Sequence, residues 1–304
     1  DPEVTSLEQL DLLGERGFRR LSLGVQSFDP KVLAAVNRPQ LSERVAPLLE
    51  HVRSRGWWGL NLDLMYGLPH QDVASFAETL DTILELRPDR VAVFGYAHVP
   101  WLKRHQRNMD EAALPDSLER ARCLLHAQER FREAGYLPVG MDHFALPTDE
   151  LAIADQAGTL HRNFMGYTTR PVDMIGLGPS AISEVAGVYW QDEPGLAPWM
   201  RKAGGDLVNK GWELSAEDRL RRELINRLMC QMRVDLGALS QHFGLDVQRR
   251  FQDQIKQLQP MIEEGLVVHE GSTLRITERG RPLMRLAAMP FDEHLSAGRF
   301  SKTV

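Results

Sequence analysis

Residues 4–100 alternate helical and extended patterns, and that alternation narrows the fold more than any other feature of the chain. Thr5-Ser6-Leu7-Glu8 has capping-box spacing, and Leu7, Leu10 and Leu13 follow at helical intervals before Gly14 and Gly17. Leu21, Leu23 and Val25 then alternate with Ser22, Gly24 and Gln26, a period of two that predicts a strand. Asp29-Pro30 opens a short helix, 42–54 predicts a second that ends by Gly56, and Leu60–Met65 predicts the next strand. Phe76, Leu80, Ile83 and Leu84 mark a helix that stops before Pro88, and Val91–Ala97 is a third strand. Strands joined by crossovers of this length run parallel, with the helices packed on the sheet.

The strand faces are unequal. Leu60, Leu62 and Leu64 make one oily side, whereas Asn61, Asp63 and Met65 make the other, and Ser22, Gly24 and Gln26 give the earlier strand a small, polar face. A parallel sheet buried only for packing is apolar on both faces. The polar register therefore points to an interior that holds a ligand, against the simpler reading of a face left in water.

Further along, 116–135 predicts a long helix and Leu137–Phe144 one extended segment. Residues 145–170 read as irregular but are dense in His, Arg, Asn and Tyr, and loops with that chemistry often carry function. Gly176-Leu177-Gly178-Pro179-Ser180-Ala181 reads as a tight turn, because Pro179 and the lack of a surrounding βαβ unit argue against a dinucleotide fingerprint. From about Ser215, helices at 216–230, 236–243 and 247–264 precede two alternating strands around Glu270-Gly271, a winged-helix-like order. Basic residues scarcely outnumber acidic ones there, and the whole chain carries a net charge of -6, so a lid or packing role is expected rather than nucleic-acid binding. No apolar run reaches the roughly 18 residues of a membrane span, so no membrane partner is expected. The two cysteines, Cys123 and Cys230, sit in apolar helical settings and read as small buried hydrophobes in a reducing, cytoplasmic compartment.

His161-Arg162-Asn163-Phe164-Met165-Gly166-Tyr167-Thr168-Thr169, Gly140-Met141-Asp142-His143-Phe144 and Tyr96-Ala97-His98-Val99-Pro100 together resemble one family, the oxygen-independent coproporphyrinogen III oxidases. The resemblance covers essentially all 304 residues. It implies an α/β fold, the C-terminal half of a partial (β/α)6 radical-SAM barrel plus a helical, winged-helix-like C-terminal domain. The expected divisions are 1–110 for the half barrel, 111–214 for a barrel extension with the substrate and second S-adenosylmethionine loops, and 215–304 for the last domain. Asp1 falls inside the family's sequence, so the chain reads as a C-terminal fragment that lacks the family's CxxxCxxC and its [4Fe-4S] cluster. Implied contacts to S-adenosylmethionine are Gln26, Arg38, Asp63, Met65 and Ala97. A second S-adenosylmethionine site is implied at Phe164, Met165 and Ile182, with Met165 standing where the family commonly has Gln.

The implied reaction is oxidative decarboxylation of two propionates of coproporphyrinogen III to vinyl groups, giving protoporphyrinogen IX in haem biosynthesis. A 5′-deoxyadenosyl radical takes hydrogen from the propionate β-carbon, which demands a dry, closed chamber. Clustering beside Phe164 makes His161, Arg162 and Tyr167 candidates for the substrate carboxylates. A monomer with a small tetrapyrrole substrate is expected, its electron donor and acceptor being unidentified, and the fragment alone should not turn over. Two rivals remain: the haem chaperones of the same superfamily, whose corresponding loop follows a different His-Asn…Tyr-Trp pattern, and a metal-dependent barrel hydrolase using His98, Asp142, His143 and His161. No pair among those four has the helical spacing common at zinc sites.

Overall fold

The computed structural model describes residues 1–38 and 42–295, the side chain of Ser42 excepted. The chain divides into two compact units, Asp1–Gln156 and one that begins at Ala157.

The first unit follows the alternation of its sequence: α1 (Leu7–Glu15), β1 (Leu21–Gln26), α2 (Pro30–Ala35), α3 (Ser42–Ser54), β2 (Leu60–Tyr66), α4 (Val73–Leu86), β3 (Arg90–Gly95), α5 (Ser117–Glu133), β4 (Leu137–Val139), β5 (His143–Ala145) and α6 (Glu150–Gln156). The capping box lies one residue later than its spacing suggests, with Ser6 accepting from the Gln9 amide and Gln9 returning a bond to Ser6. Asp29 caps α2 as expected, its carboxylate accepting from the amides of Lys31 and Val32. Strands β1, β2 and β3 pair in parallel, and β5 and β4 extend the sheet antiparallel, in the order β1-β2-β3-β5-β4. The single extended segment expected over 137–144 is thus two strands folded back through a turn at Gly140, which has φ +57°. Leu23, Leu62, Val91 and Phe144 stand in one row across the sheet and sink into a core with Phe76, Leu80 and Ile83 of α4 and Phe131 of α5.

The second unit holds β6 (His161–Asn163), β7 (Gly166–Thr168), β8 (Ile182–Val185), β9 (Val188–Asp192), α7 (Leu196–Lys202) and β10 (Val208–Glu213). It continues with α8 (Ala216–Gln231), β11 (Arg233–Asp235), α9 (Leu236–Phe243), α10 (Val247–Arg250), α11 (Gln252–Gln257), α12 (Gln259–Glu263), β12 (Val267–Glu270), β13 (Thr273–Ile276) and α13 (Met284–Ala288). Residues 145–170, expected to be irregular, contain helix α6 and the β6–β7 hairpin. The helix expected over 247–264 is three short pieces. The β12–β13 hairpin forms as its alternation predicts, and β11 joins it in the order β11-β13-β12, completing the wing. Leu220, Leu224 and Leu228 of α8, with Leu239, Phe251 and Phe291, are buried. Among the described residues no helix is long and apolar enough to cross a membrane.

Candidate functional site

Strand register builds the polar face rung by rung. Ser22, Asn61 and Arg90 occupy one rung, Gly24, Asp63, Ala92 and His143 the next, and Met65 pairs with Phe94 on a third. Side chains of paired residues share a face, so Asp63 and His143 flank the small Ala92. Asn61 donates through Nδ2 to Ser22 Oγ at 2.9 Å and to Asp63 Oδ1 at 2.7 Å. Burial pushes the Asp63 carboxyl above the usual carboxylate range, partly countered by the Asn61 bond and by His143. Asp142, one residue before β5, meets His143 Nδ1 at 2.6 Å.

Gln26 departs from regular strand geometry. Its φ is +72°, and β1 shifts register against β2 between Gly24 and Gln26. A left-handed glutamine is an uncommon backbone state that marks sites where geometry serves something other than folding. Here the bulge turns the amide over Gly24, where a Cβ on Gly24 would stand 2.7 Å from Gln26 Nε2. Gln26 Oε1 is buried without a hydrogen-bond partner among the described residues. Arg38, delivered by the turn after α2, donates from Nη1 to Gly24 O at 3.0 Å and has Nη2 3.8 Å from Asp1.

Gln26, Arg38, Met65 and Ala97 line a single cavity of about 410 Å³ together with Gly95, Tyr96 and Gln106. Asp63 is set back on the neighbouring rung. Two buried glutamines, which the sequence reading passed over, fix the strand ends at this cavity. Gln71 accepts from the Gly67 amide at 2.7 Å and donates to Met65 O at 3.1 Å. Gln106 does the same service after β3, with the Ala97 carbonyl and the Val99 amide. Nothing in their periodicity distinguishes them, since Gln71 sits in a loop and Gln106 in a short 3-10 helix, Arg104–Asn108, and both work through contacts the fold creates.

In the second unit, Phe164 and Ile182 line a cavity of about 370 Å³ with Trp190, Lys210 and Trp212. Met165, their expected companion, is outside its lining and 75% exposed at the tip of the β6–β7 hairpin. His161, Arg162 and Tyr167 all lie on that hairpin, with Arg162 paired to Tyr167 and His161 to Thr168. Tyr167 is buried, and its hydroxyl donates to Met229 O on α8 at 3.3 Å. That leaves the Arg162 guanidinium, held 5.6 Å above the Tyr167 ring, as the exposed cation of the three. Arg162 O in turn accepts from Asn226 at 2.8 Å. Burial first, and then the nearby Arg222 charge, hold the His161 imidazole below its ordinary pKa.

The cysteines do not provide a cluster site. Both are buried, they belong to different units, and burial pushes the Cys123 thiol up to about 12, far from the thiolate that iron requires. The chain's two cysteines fall short of the three or four ligands a cubane cluster takes.

Comparisons with known proteins agree with this architecture. Residues 1–83 match the model of the radical SAM superfamily, and residues 214–283 match that of the HemN C-terminal domain. The oxygen-independent coproporphyrinogen III oxidase of Salmonella typhimurium is 41% identical over 97% of this chain, which spans 65% of that relative's length. The enzyme of the same name from Thermostichus vulcanus is 41% identical over 95% of the chain, and the match spans 91% of that relative. The solved structure titled as the coproporphyrinogen III oxidase HemN of Escherichia coli, a radical SAM enzyme, superposes with a TM-score of 0.92 at 40% identity, covering 97% of this chain and 69% of that one. With the sheet register, the wing and these likenesses in agreement, the chain belongs to the oxygen-independent coproporphyrinogen III oxidase family of the radical SAM superfamily.

Proposed function

We propose that this chain forms the S-adenosylmethionine-holding and substrate-facing part of an enzyme that oxidatively decarboxylates two propionates of coproporphyrinogen III, yielding protoporphyrinogen IX. The observation that carries this is the convergence of Gln26, Arg38, Met65 and Ala97, from separate strands and turns, on one cavity. The unpartnered Gln26 Oε1 fits a ligand rich in hydroxyl and ammonium donors. Bound there, S-adenosylmethionine supplies the carbon radical that takes hydrogen from the propionate β-carbon. The chain's own residues orient it. Gln26 and Asp63 take ribose hydroxyl or amine protons, the Arg38 fork meets the methionyl carboxylate, and Met65 and Ala97 pack against the adenine with backbone groups in reach. Since the cysteines here cannot hold a cluster, the reducing electron comes from outside this chain, and the chain by itself does not turn over.

A second S-adenosylmethionine site falls to the cavity of Phe164 and Ile182, with Met165 offering only packing and backbone contacts at the hairpin tip. Arg162, steadied by Tyr167 and beside His161, receives a substrate carboxylate. The functional divisions are 1–110, 111–214 and 215–304, in a monomeric, cytoplasmic protein whose wing has a lid or packing role. Calorimetric titration of S-adenosylmethionine into the chain tests the reading. Saturable binding that the Gln26→Ala/Arg38→Ala pair removes is expected, and no heat from a folded wild-type chain would overturn it.

A further inference from the structure

We propose that Lys103 and His105 form an anion site at the 410 Å³ cavity, where they hold a propionate carboxylate of the tetrapyrrole that the reaction leaves in place. This rests on the S-adenosylmethionine reading above and assigns two cavity residues that the cofactor does not use.

The charge balance of the cavity carries the inference. Arg38, Lys103 and His105 line it, and no acidic residue among those described does. S-adenosylmethionine brings a sulfonium, an ammonium and one carboxylate, so it is itself a cation. Arg38 answers that carboxylate, which leaves Lys103 and His105 facing a ligand of their own sign. Like charges in a partly desolvated space repel, and an anion beside the cofactor removes the repulsion.

The segment that delivers these cations is fixed at its base. After β3, residues 101–109 carry Lys103, Arg104, His105 and Arg107 and no acid, and none of the four enters an ion pair among the described residues. The amides of Leu102 and Lys103 donate to Val99 O at 2.8 and 2.9 Å. Gln106, only 7% exposed, ties the Val99 amide to the Ala97 carbonyl, and Arg107 Nε donates to Pro100 O at 3.0 Å. The exposed cations therefore project from a backbone that is held in place. Beside them, the exposed Trp101 and Leu102 offer apolar surface to the ring that bears the carboxylate arm.

The chemistry decides which carboxylate this is. Loss of carbon dioxide erases the charge of the group that leaves, so a cation on it would stabilise the reactant more than the transition state and slow the step. The same cation on a propionate that stays orients the substrate without opposing the reaction. An ammonium and an imidazole N–H both donate to carboxylate oxygen.

The test is calorimetric titration of the chain with coproporphyrin III (the stable aromatic form of the tetrapyrrole), with its neutral tetra-amide, and with S-adenosylmethionine. Wild type, Lys103→Gln/His105→Gln and Lys103→Arg are compared, with a melting curve for each. The double variant should bind the tetra-acid about tenfold more weakly, as loss of a charged hydrogen bond predicts, and the tetra-amide as wild type does. It should bind S-adenosylmethionine alone about two- to threefold more tightly, because a like charge is gone. Lys103→Arg keeps the charge and should stay within about threefold of wild type for the tetra-acid. An equal loss for acid and amide would make the two residues merely structural and overturn the proposal, as would an unchanged affinity for the acid. A folded wild type that takes S-adenosylmethionine but not coproporphyrin III would overturn the anion site and leave the cofactor reading standing. One that takes no S-adenosylmethionine would overturn both.

Discussion

Gly24→Ala tests whether Gln26 is poised for a ligand or only fills space. The added methyl would lie 2.7 Å from Gln26 Nε2 and 3.9 Å from Arg38 Nη1, the first distance too short to persist. The atom that must yield is the end of a flexible side chain, and Gly24 is not among the positive-φ glycines, so the backbone can stay in place. Restricting the unfolded chain favours the alanine by about 0.4–1 kcal/mol, which offsets the displaced amide. Net stability should thus move by no more than about 1 kcal/mol. Binding should suffer more, because a displaced Gln26 gives up one or two hydrogen bonds to the ligand at about 0.5–1.5 kcal/mol each. That corresponds to about a tenfold rise in the Kd for S-adenosylmethionine. Calorimetry and thermal melts on Gly24→Ala, Gln26→Ala and the double variant decide it. The two losses should overlap rather than add, since both remove the same contact. A folded Gly24→Ala chain with an unchanged Kd would refute the reasoning.

Four further outcomes follow from the geometry. Asp63→Asn should stabilise the chain at neutral pH: burial raises the native carboxyl above 3.8, so the native state binds more protons and stability falls as pH climbs from 3.8 through the raised value. The gain should vanish below pH 3.8 in urea titrations, and a pH-independent difference would count against it. Tyr136→Phe removes a buried 2.6 Å bond to Pro88 O and should cost about 1–3 kcal/mol by denaturant unfolding, with no change in ligand affinity. His294, its pKa raised by a 2.6 Å bond to Asp218, contributes stability below pH 6.5 that is lost as pH rises through the raised value, while Asp218, held low by His294 and Ser215, contributes above pH 3.8 and loses it on acidification. His294→Gln should flatten the alkaline limb of a melting-temperature profile of the chain, and an unaltered limb would exclude the pair. In an active full-length protein carrying this chain, Arg162→Ala should raise the KM for the tetrapyrrole about tenfold, as loss of a charged hydrogen bond predicts, with Arg162→Lys recovering part of it.

Local periodicity carried much of the architecture. The Leu60, Leu62, Leu64 alternation sufficed to place β2 with one face in the core, Asp29-Pro30 to start α2, and Glu270-Gly271 to turn the wing, because each signal is complete within a few residues. Strands of three residues are different: Leu137–Val139 and His143–Ala145 are strands only because β3 offers His143 and its neighbours an edge, and no three-residue window carries that information. The family resemblance named Gln26, Arg38, Met65 and Ala97, but their meeting at one cavity depends on register and on a bulge that puts Gln26 at φ +72°. Gln71 and Gln106 were invisible beforehand, since an amide's importance lies in which distant carbonyls and amides it reaches. The exposure of Met165 and the capture of the Tyr167 hydroxyl by Met229 were equally settled by tertiary contacts. Sequence by itself determined which residues repeat at strand or helix spacing and which face is polar, because those follow from backbone geometry. The tertiary structure alone decided which polar groups find partners and which remain for a ligand, because hydrogen bonds are satisfied in space and not along the chain.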